Sequence, residues 1–179
     1  GQDWNDFTNN LIIDLGRNKI DATSGFKIAR NTLEAMVGVR TPFRGFRNMG
    51  FSVNHNGNIK KFTTHVELNT PFRKFDRVGA QLSHEGNLRN FKTNGKIELP
   101  FRSLPEVGFS ASHESQPGNV ATSASVEYNG KKIGLEGAYR RSGDSVETSG
   151  TIMTPFPNME NMGFTVTHST DRRGGYSTN

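Results

Sequence analysis

Residues 41–55, TPFRGFRNMGFSVNH, contain the pattern from which the fold of this chain can be inferred. Related segments begin at Thr70, Leu99 and Thr154, and the prolines of the four segments follow one another at steps of 29, 29 and 55 residues. In every copy a glycine stands eight residues after the proline, and a histidine stands thirteen residues after it. Self-similarity at a fixed spacing is the signature of a repeat architecture, so we predict a fold built from repeated units.

From the residue before the glycine to the histidine of each copy, apolar side chains alternate with small or polar ones. Met49, Phe51 and Val53 form this row in the first copy. A period of two is typical of a β-strand with one apolar face. Asn56-Gly57 then predicts a hairpin turn, because both residues tolerate positive φ. A second alternating stretch returns to the next proline, so each unit predicts a pair of antiparallel strands.

These strand pairs predict an all-β fold, a repeat-built antiparallel amphipathic meander sheet that is open or partly closed into a barrel or sandwich. No shift in composition marks a boundary, so residues 1–179 are expected to form a single β-rich domain or a fragment of a larger chain. Within them, residues 1–40 are a divergent unit and residues 41–179 form units of about 29 residues. Each returning strand is expected to end at a Pro-Phe pair, since proline has no backbone N–H to donate to the neighbouring strand. The tight turn Asn129-Gly130 replaces one such pair.

The composition is mildly basic and contains no cysteine. Lys and Arg number 22 against 17 Asp and Glu, which gives a net charge of +5. Basic chains often contact the phosphates of nucleic acids or of lipid headgroups. Single-strand binders combine aromatics and cations on one face, whereas here the aromatics fall on the predicted apolar face, so no nucleic-acid partner is expected. The densest basic cluster, residues 40–47, fits either contact with headgroups or a solvated edge.

Motifs of the common enzyme classes are missing from the sequence. There is no cysteine nucleophile, no Gly-x-Ser-x-Gly elbow, no Walker phosphate-binding loop and no His-Glu-x-x-His pair. We therefore expect no enzymatic activity and no cofactor, although an apolar face of this kind can take a lipid or a small apolar ligand.

The alternating rows place the larger apolar side chains on one face of the predicted sheet. Such a patch exceeds what soluble monomers usually leave in water, so the face needs a second sheet, closure into a barrel, or lipid. We assign it to lipid or another apolar molecule, because a repeated sheet can extend over a large apolar surface. The predicted lipid-facing residues are Phe51, Val53, Phe62, Val66, Leu68, Val78, Leu82, Phe91, Ile97, Val107, Phe109, Val126, Ile133, Leu135, Ile152, Phe164 and Val166.

Four of the five histidines recur at one position of the repeat, at the end of an apolar row and before a turn. Histidine binds transition metals, but histidines of adjacent repeats would lie about 9–10 Å apart across two strand spacings. One ion with Zn–N bonds of about 2.0–2.1 Å cannot span that separation, so no metal site is predicted. An amphipathic imidazole instead suits the boundary between lipid and water. The predicted interfacial residues are His55, His84, His113 and His168.

The recurring Thr-Pro-Phe-x-x-Phe turn, with the glycine and the alternating apolar residues after it, resembles the β-rich lipid-binding regions of the large lipid transfer proteins. That family includes apolipophorins, vitellogenins and apolipoprotein B, and the resemblance covers most of Thr41–His168. It implies a secreted, extracellular lipoprotein whose amphipathic sheets bind phospholipid, diacylglycerol or sterol. This chain is far shorter than such proteins and carries no recognisable amino-terminal lipid-transfer module. As a separate product, it would be expected to carry a small apolar molecule such as a pigment or a fatty acid.

Two other functions are compatible with the same pattern. A self-assembling structural β protein would stack its units edge to edge into a fibre or matrix. A transmembrane β-barrel would also show strands of roughly ten alternating residues joined by short turns, although Thr, Gly and His interrupt the apolar face here. The expected partners are lipid or an apolar small molecule, together with other segments of the same precursor or further copies of the chain.

Overall fold

The computed structural model of the chain describes residues 5–170 and 176–178. In that part the backbone forms strands joined by turns and loops, without a helix. Neighbouring strands pair in sequence order and antiparallel, and the sheet does not close on itself, which confirms the predicted meander in its open form. The strands are β1 (Asp6–Asp14), β2 (Lys19–Ala29), β3 (Thr32–Arg40), β4 (Asn48–Asn58), β5 (Lys61–Asn69), β6 (Arg77–Gly86), β7 (Asn90–Phe101), β8 (Leu104–Gln116), β9 (Asn119–Tyr128), β10 (Lys131–Ser142), β11 (Ser145–Met153), β12 (Asn161–Thr170) and β13 (Tyr176–Thr178).

The strands belong to two compact units. The first unit contains Gly1–His84 and Gly95–Val107, and the second contains Glu85–Asn94 and Gly108–Asn179. An antiparallel ladder runs through β1–β5 in the first unit. A second ladder runs through β9–β13 in the second unit.

In the first unit, the predicted apolar face extends across β3, β4 and β5. Phe51 of β4 pairs with Val37 on one side and with Leu68 on the other. Two residues further along β4, Val53 pairs with Val66 of β5. Residues paired in register project from the same face of a sheet, so these side chains form one apolar surface.

In the second unit, the same rule holds for β10, β11 and β12. Leu135 pairs with Ile152, which in turn pairs with Met162. Phe164 follows Met162 by two residues and pairs with Gly150. Strand alternation therefore keeps the Leu, Ile, Met and Phe side chains of these strands on one face as well.

The opposite face of each unit carries polar and charged side chains. In the first unit, Arg77 Nη2 lies 2.8 Å from Glu67 Oε2. In the second unit, the hydroxyl oxygens of Ser112 and Ser123 lie 2.8 Å apart. Groups of this kind are readily hydrated, so the polar face needs no covering layer, whereas the apolar face does.

A threonine hydroxyl holds each Thr-Pro-Phe loop together. In the loop after β3, Thr41 Oγ1 accepts a hydrogen bond from the Phe43 N–H (3.3 Å) and donates one to the Phe46 carbonyl oxygen (2.5 Å). Thr70 and Thr154 make the equivalent pair of bonds after β5 and β11. At these three loops the returning strand ends just before the Thr-Pro-Phe segment, as predicted.

In the remaining copy, the returning strand includes its Pro-Phe pair. β7 continues through Pro100 to Phe101, and β8 begins at Leu104 after a turn of two residues. Leu99 stands where the other copies have threonine, and it has no hydroxyl with which to hold a longer loop. The returning strand therefore ends at its Pro-Phe pair in this copy too, but it includes the pair and is followed by a tight turn in place of the longer loop.

The first hairpin turn falls later than predicted. Gly57 is still part of β4, and the turn is formed by Ile59 and Lys60. Asn58 Oδ1 accepts hydrogen bonds from the N–H groups of Lys60 (2.9 Å) and Lys61 (3.2 Å). Such an Asx turn lets the asparagine side chain replace a backbone acceptor, and it places the reversal after Asn58.

The turn between β9 and β10 is formed by Asn129 and Gly130, as predicted. Both residues have positive φ, at 50° and 70°. This is the backbone conformation of two-residue hairpin turns whose twist matches the flanking strands. A tight turn therefore takes the place of the Pro-Phe copy that is missing from this part of the repeat.

Candidate apolar binding face

The candidate site is the apolar face of each unit. Among residues 5–169 and 177–178, no hydrophobic side chain is buried. On the first unit's face Phe51 is 44% exposed, and on the second unit's face Leu135 and Phe164 are 58% and 62% exposed. A second layer of the same protein would bury such side chains. The described strands therefore leave the apolar face uncovered in both units.

The predicted lipid-facing residues all lie in strands, and neighbours within the sheet shield them to different degrees. Ten of them are exposed, namely Phe51, Leu68, Ile97, Phe109, Val126, Ile133, Leu135, Ile152, Phe164 and Val166. The others are half-buried, namely Val53, Phe62, Val66, Val78, Leu82, Phe91 and Val107. Every one of these side chains keeps surface that an apolar partner can cover.

The apolar face also extends into β1, β2 and β3, where no lipid-facing residue was predicted. Phe7 and Phe26 pair in register, and their ring centroids lie 5.7 Å apart. Phe26 pairs in turn with Ala35 of β3. The proline, glycine and histidine of the repeat do not mark this region. The alternation of Leu33, Ala35 and Val37 is the signal that identifies these strands as part of the face.

The repeated histidines His55, His113 and His168 each bond to a threonine of the next strand. His55 Nδ1 lies 2.8 Å from Oγ1 of Thr64, its partner in the ladder. In the second unit, His113 Nδ1 lies 2.8 Å from Thr122 Oγ1. His168 makes the same contact with a threonine of β13, at 2.9 Å. The hydroxyl gives one ring nitrogen a polar partner at the end of an apolar row.

Phenylalanine rings stand beside these imidazoles. In the first unit, the Phe62 centroid lies 5.4 Å from that of His55 and 5.4 Å from that of His84. In the second unit, Phe91 lies 6.0 Å from His113. A phenyl ring between two imidazoles keeps them too far apart to ligate one ion. In the described ranges, no group of three or more His, Cys, Asp or Glu side chains is placed to hold a metal ion.

No protein-family model, curated protein or solved structure matches this chain. The resemblance to the large lipid transfer proteins therefore rests on the repeated Thr-Pro-Phe segments and on the amphipathic strands that follow them. In the part of the chain that the structure describes, no helix has the length and apolarity required to cross a lipid bilayer.

Proposed function

We propose that the chain is a non-enzymatic lipid-binding segment of an extracellular lipoprotein, related to the large lipid transfer proteins, and that its apolar sheet face contacts lipid or another apolar molecule. The uncovered face is the observation that carries the proposal. Large side chains such as Phe51, Leu135 and Phe164 lie on it with about half of their surface exposed. Leaving such surface in water costs about 25 cal/mol per Å² of apolar area, so an apolar partner is strongly favoured.

The two faces of the sheet fit a boundary between lipid and water. Ladder hydrogen bonds satisfy the backbone groups of the inner strands, so the apolar face can meet acyl chains without leaving polar groups unpaired. Covering one half-exposed Phe or Leu contributes about 1 kcal/mol. On the other face, ion pairs such as Lys27–Asp6 (3.9 Å) remain hydrated.

The histidine positions suit the edge of the lipid contact. His55 lies on the same face as Phe51, but its ring nitrogen bonds to the hydroxyl of Thr64. An imidazole that combines an apolar ring surface with a polar edge is stable where acyl chains give way to water. Under the proposal, His55, His84, His113 and His168 mark the limit to which lipid covers each row.

The open edges of the sheet support a second candidate function, that of a self-assembling structural β protein. Among the described strands, β1 pairs with β2 alone, and β13 pairs with His168–Thr170 of β12. Over residues 161–167, the outer edge of β12 has no ladder partner among the described strands. β1 contains neither Pro nor Lys, which natural edge strands use against edge-to-edge pairing. Strands of further copies could therefore add to these edges.

Solvent extraction of the purified native protein, followed by mass spectrometry, distinguishes the two candidates. We expect a lipid or another apolar molecule to co-purify in stoichiometric amount. Lipid-free filaments with a cross-β spacing of about 4.7–4.8 Å would contradict lipid binding and support self-assembly.

A further inference from the structure

Three connections at one end of the first unit carry exposed aromatic rings. Residues 41–47 and 70–76 link β3 to β4 and β5 to β6, and residues 100–103 form the turn region between β7 and β8. Alternate connections of a meander lie at the same end of its strands. Phe43 and Phe72 are 49% and 51% exposed. We call these three segments the loop row.

Neighbouring segments of the loop row contact one another through their rings. The ring centroids of Phe46 and Phe72 lie 5.8 Å apart in an edge-to-face arrangement. Those of Phe75 and Phe101 lie 6.1 Å apart. The rings therefore connect adjacent segments into an apolar strip that follows the strand ends of the unit.

Each segment also places an arginine directly after its first phenylalanine, at Arg44, Arg73 and Arg102. These arginines are exposed, and within the described residues none of them forms an ion pair or a side-chain hydrogen bond. The loop row contains five cations in all, against a single acid, Asp76. Exposed guanidinium groups that form no ion pair can bind phosphate oxygens in a bidentate manner.

The loop itself does not require the arginines. In the second unit, Thr154 accepts a hydrogen bond from the Phe156 N–H (3.4 Å) and donates one to the Met159 carbonyl oxygen (2.6 Å), as in the other copies. Pro157 stands there at the arginine position, and Glu160 is the only charged residue of the segment 154–160. The same loop thus forms without a cation, so the arginines of the loop row are free to serve an external partner.

We propose that the loop row docks on a membrane surface that contains anionic phospholipids. The exposed phenylalanine rings enter the headgroup region, and Arg44, Arg73 and Arg102 bind lipid phosphates. The net charge of +5 favours the same approach. The inference goes beyond the proposed function, because it concerns the strand ends of one unit and not the apolar sheet faces.

Vesicle flotation of the full chain tests this docking surface. We expect binding to vesicles of phosphatidylcholine mixed with phosphatidylglycerol, weaker binding to phosphatidylcholine alone, and a decrease as salt is raised. The double variant Arg44→Gln/Arg73→Gln should bind the mixed vesicles about 30-fold more weakly. The control Lys132→Gln/Arg140→Gln removes two cations from the polar face of β10 and should bind like the wild type.

Three results would overturn the proposal. Equal losses in the two double variants would show that net charge alone acts, and equal binding of the wild type to both vesicle types would show that anionic lipid is not recognised. Displacement from the vesicles by an equal charge concentration of DNA would identify a nucleic acid as the preferred partner. Circular dichroism verifies that each variant is folded. Because cargo is measured separately by solvent extraction, failure of vesicle docking is distinguishable from failure of the proposed function.

Discussion

The ring of Phe164 lies directly over Gly150, its partner in the β11–β12 ladder. A Cβ atom added at Gly150 would stand 2.7 Å from Cε1 of that ring. Aromatic side chains cover glycines in this way in other antiparallel sheets, where the glycine lets the ring lie against the backbone. The apolar face is therefore shaped by its glycines as well as by its large side chains.

Gly150→Val should leave the second unit about 1 kcal/mol less stable than the control variant, because the exposed Phe164 ring must give up its contact with the backbone at Gly150. Gly137→Val is the matched control. Gly137 pairs with Gly150, but an added Cβ there would meet only the Ser149 carbonyl oxygen, at 4.0 Å. Urea denaturation followed by circular dichroism measures both variants. Equal free energies of unfolding for the two would contradict the packing described.

The hydrogen bond between His55 and Thr64 should contribute measurably to stability. Thr64→Val is expected to lower the free energy of unfolding by about 1 kcal/mol, because His55 Nδ1 loses its hydroxyl partner. Thr63→Val changes the adjacent position on the opposite face and should leave stability within about 0.5 kcal/mol. Chemical denaturation compares them, and a Thr64→Val variant as stable as Thr63→Val would show that the bond contributes nothing.

Much of the fold could be predicted from the sequence because its determinants are local. The alternating residues Gly50 to His55 lie in β4, as predicted, because the pleat of a strand places successive side chains on opposite faces. The turn could not be placed correctly, because Asn56-Gly57 is a strong turn-forming pair, whereas the chain reverses at Ile59 and Lys60. The hydrogen bonds from the N–H groups of Lys60 and Lys61 to the Asn58 side chain place the reversal there, and such bonds are visible only in the structure.

The candidate site was predictable only in part. Phe7 and Phe26 belong to the apolar face because they pair in the ladder, although their strands lack the proline, glycine and histidine of the repeat. β7 extends through Pro100 in the copy where Leu99 stands in place of threonine. Leucine lacks the hydroxyl that makes the two hydrogen bonds of the longer loop, as Thr41 does. The degree to which each apolar side chain is shielded does not follow from local pattern, because it depends on the neighbouring strands of the ladder.

Glu67 should contribute to the loss of stability in acid. Its Oε1 accepts a hydrogen bond from Asn69 Nδ2 (2.6 Å), and this bond, together with the Arg77 guanidinium, outweighs desolvation and holds the pKa of the Glu67 carboxyl below its ordinary value of 4.5. A lowered pKa in the folded state stabilises the fold above the unfolded pKa, and this contribution is lost as pH falls through the folded pKa.

Glu67→Gln should therefore show a smaller fall in Tm than the wild type between about pH 5 and about pH 3. Glu34→Gln is the control, because Glu34 forms no ion pair within the described part of the chain. Thermal unfolding over a pH series measures all three proteins. A Glu67→Gln variant that follows the wild-type curve would rule out a contribution from this carboxylate.

The assignment of lipid to the apolar face can be tested by flotation with triacylglycerol droplets coated with phosphatidylcholine, a zwitterionic surface that does not favour the loop row. Phe51→Asn/Phe164→Asn alters the apolar face of both units, and Ser52→Asn/Thr165→Asn alters the neighbouring positions on the polar face. We expect the wild type and the Ser52→Asn/Thr165→Asn variant to float with the droplets, and the phenylalanine variant to remain in the aqueous phase. Flotation of both variants alike, or a wild-type protein that stays in the aqueous phase, would contradict lipid binding by this face.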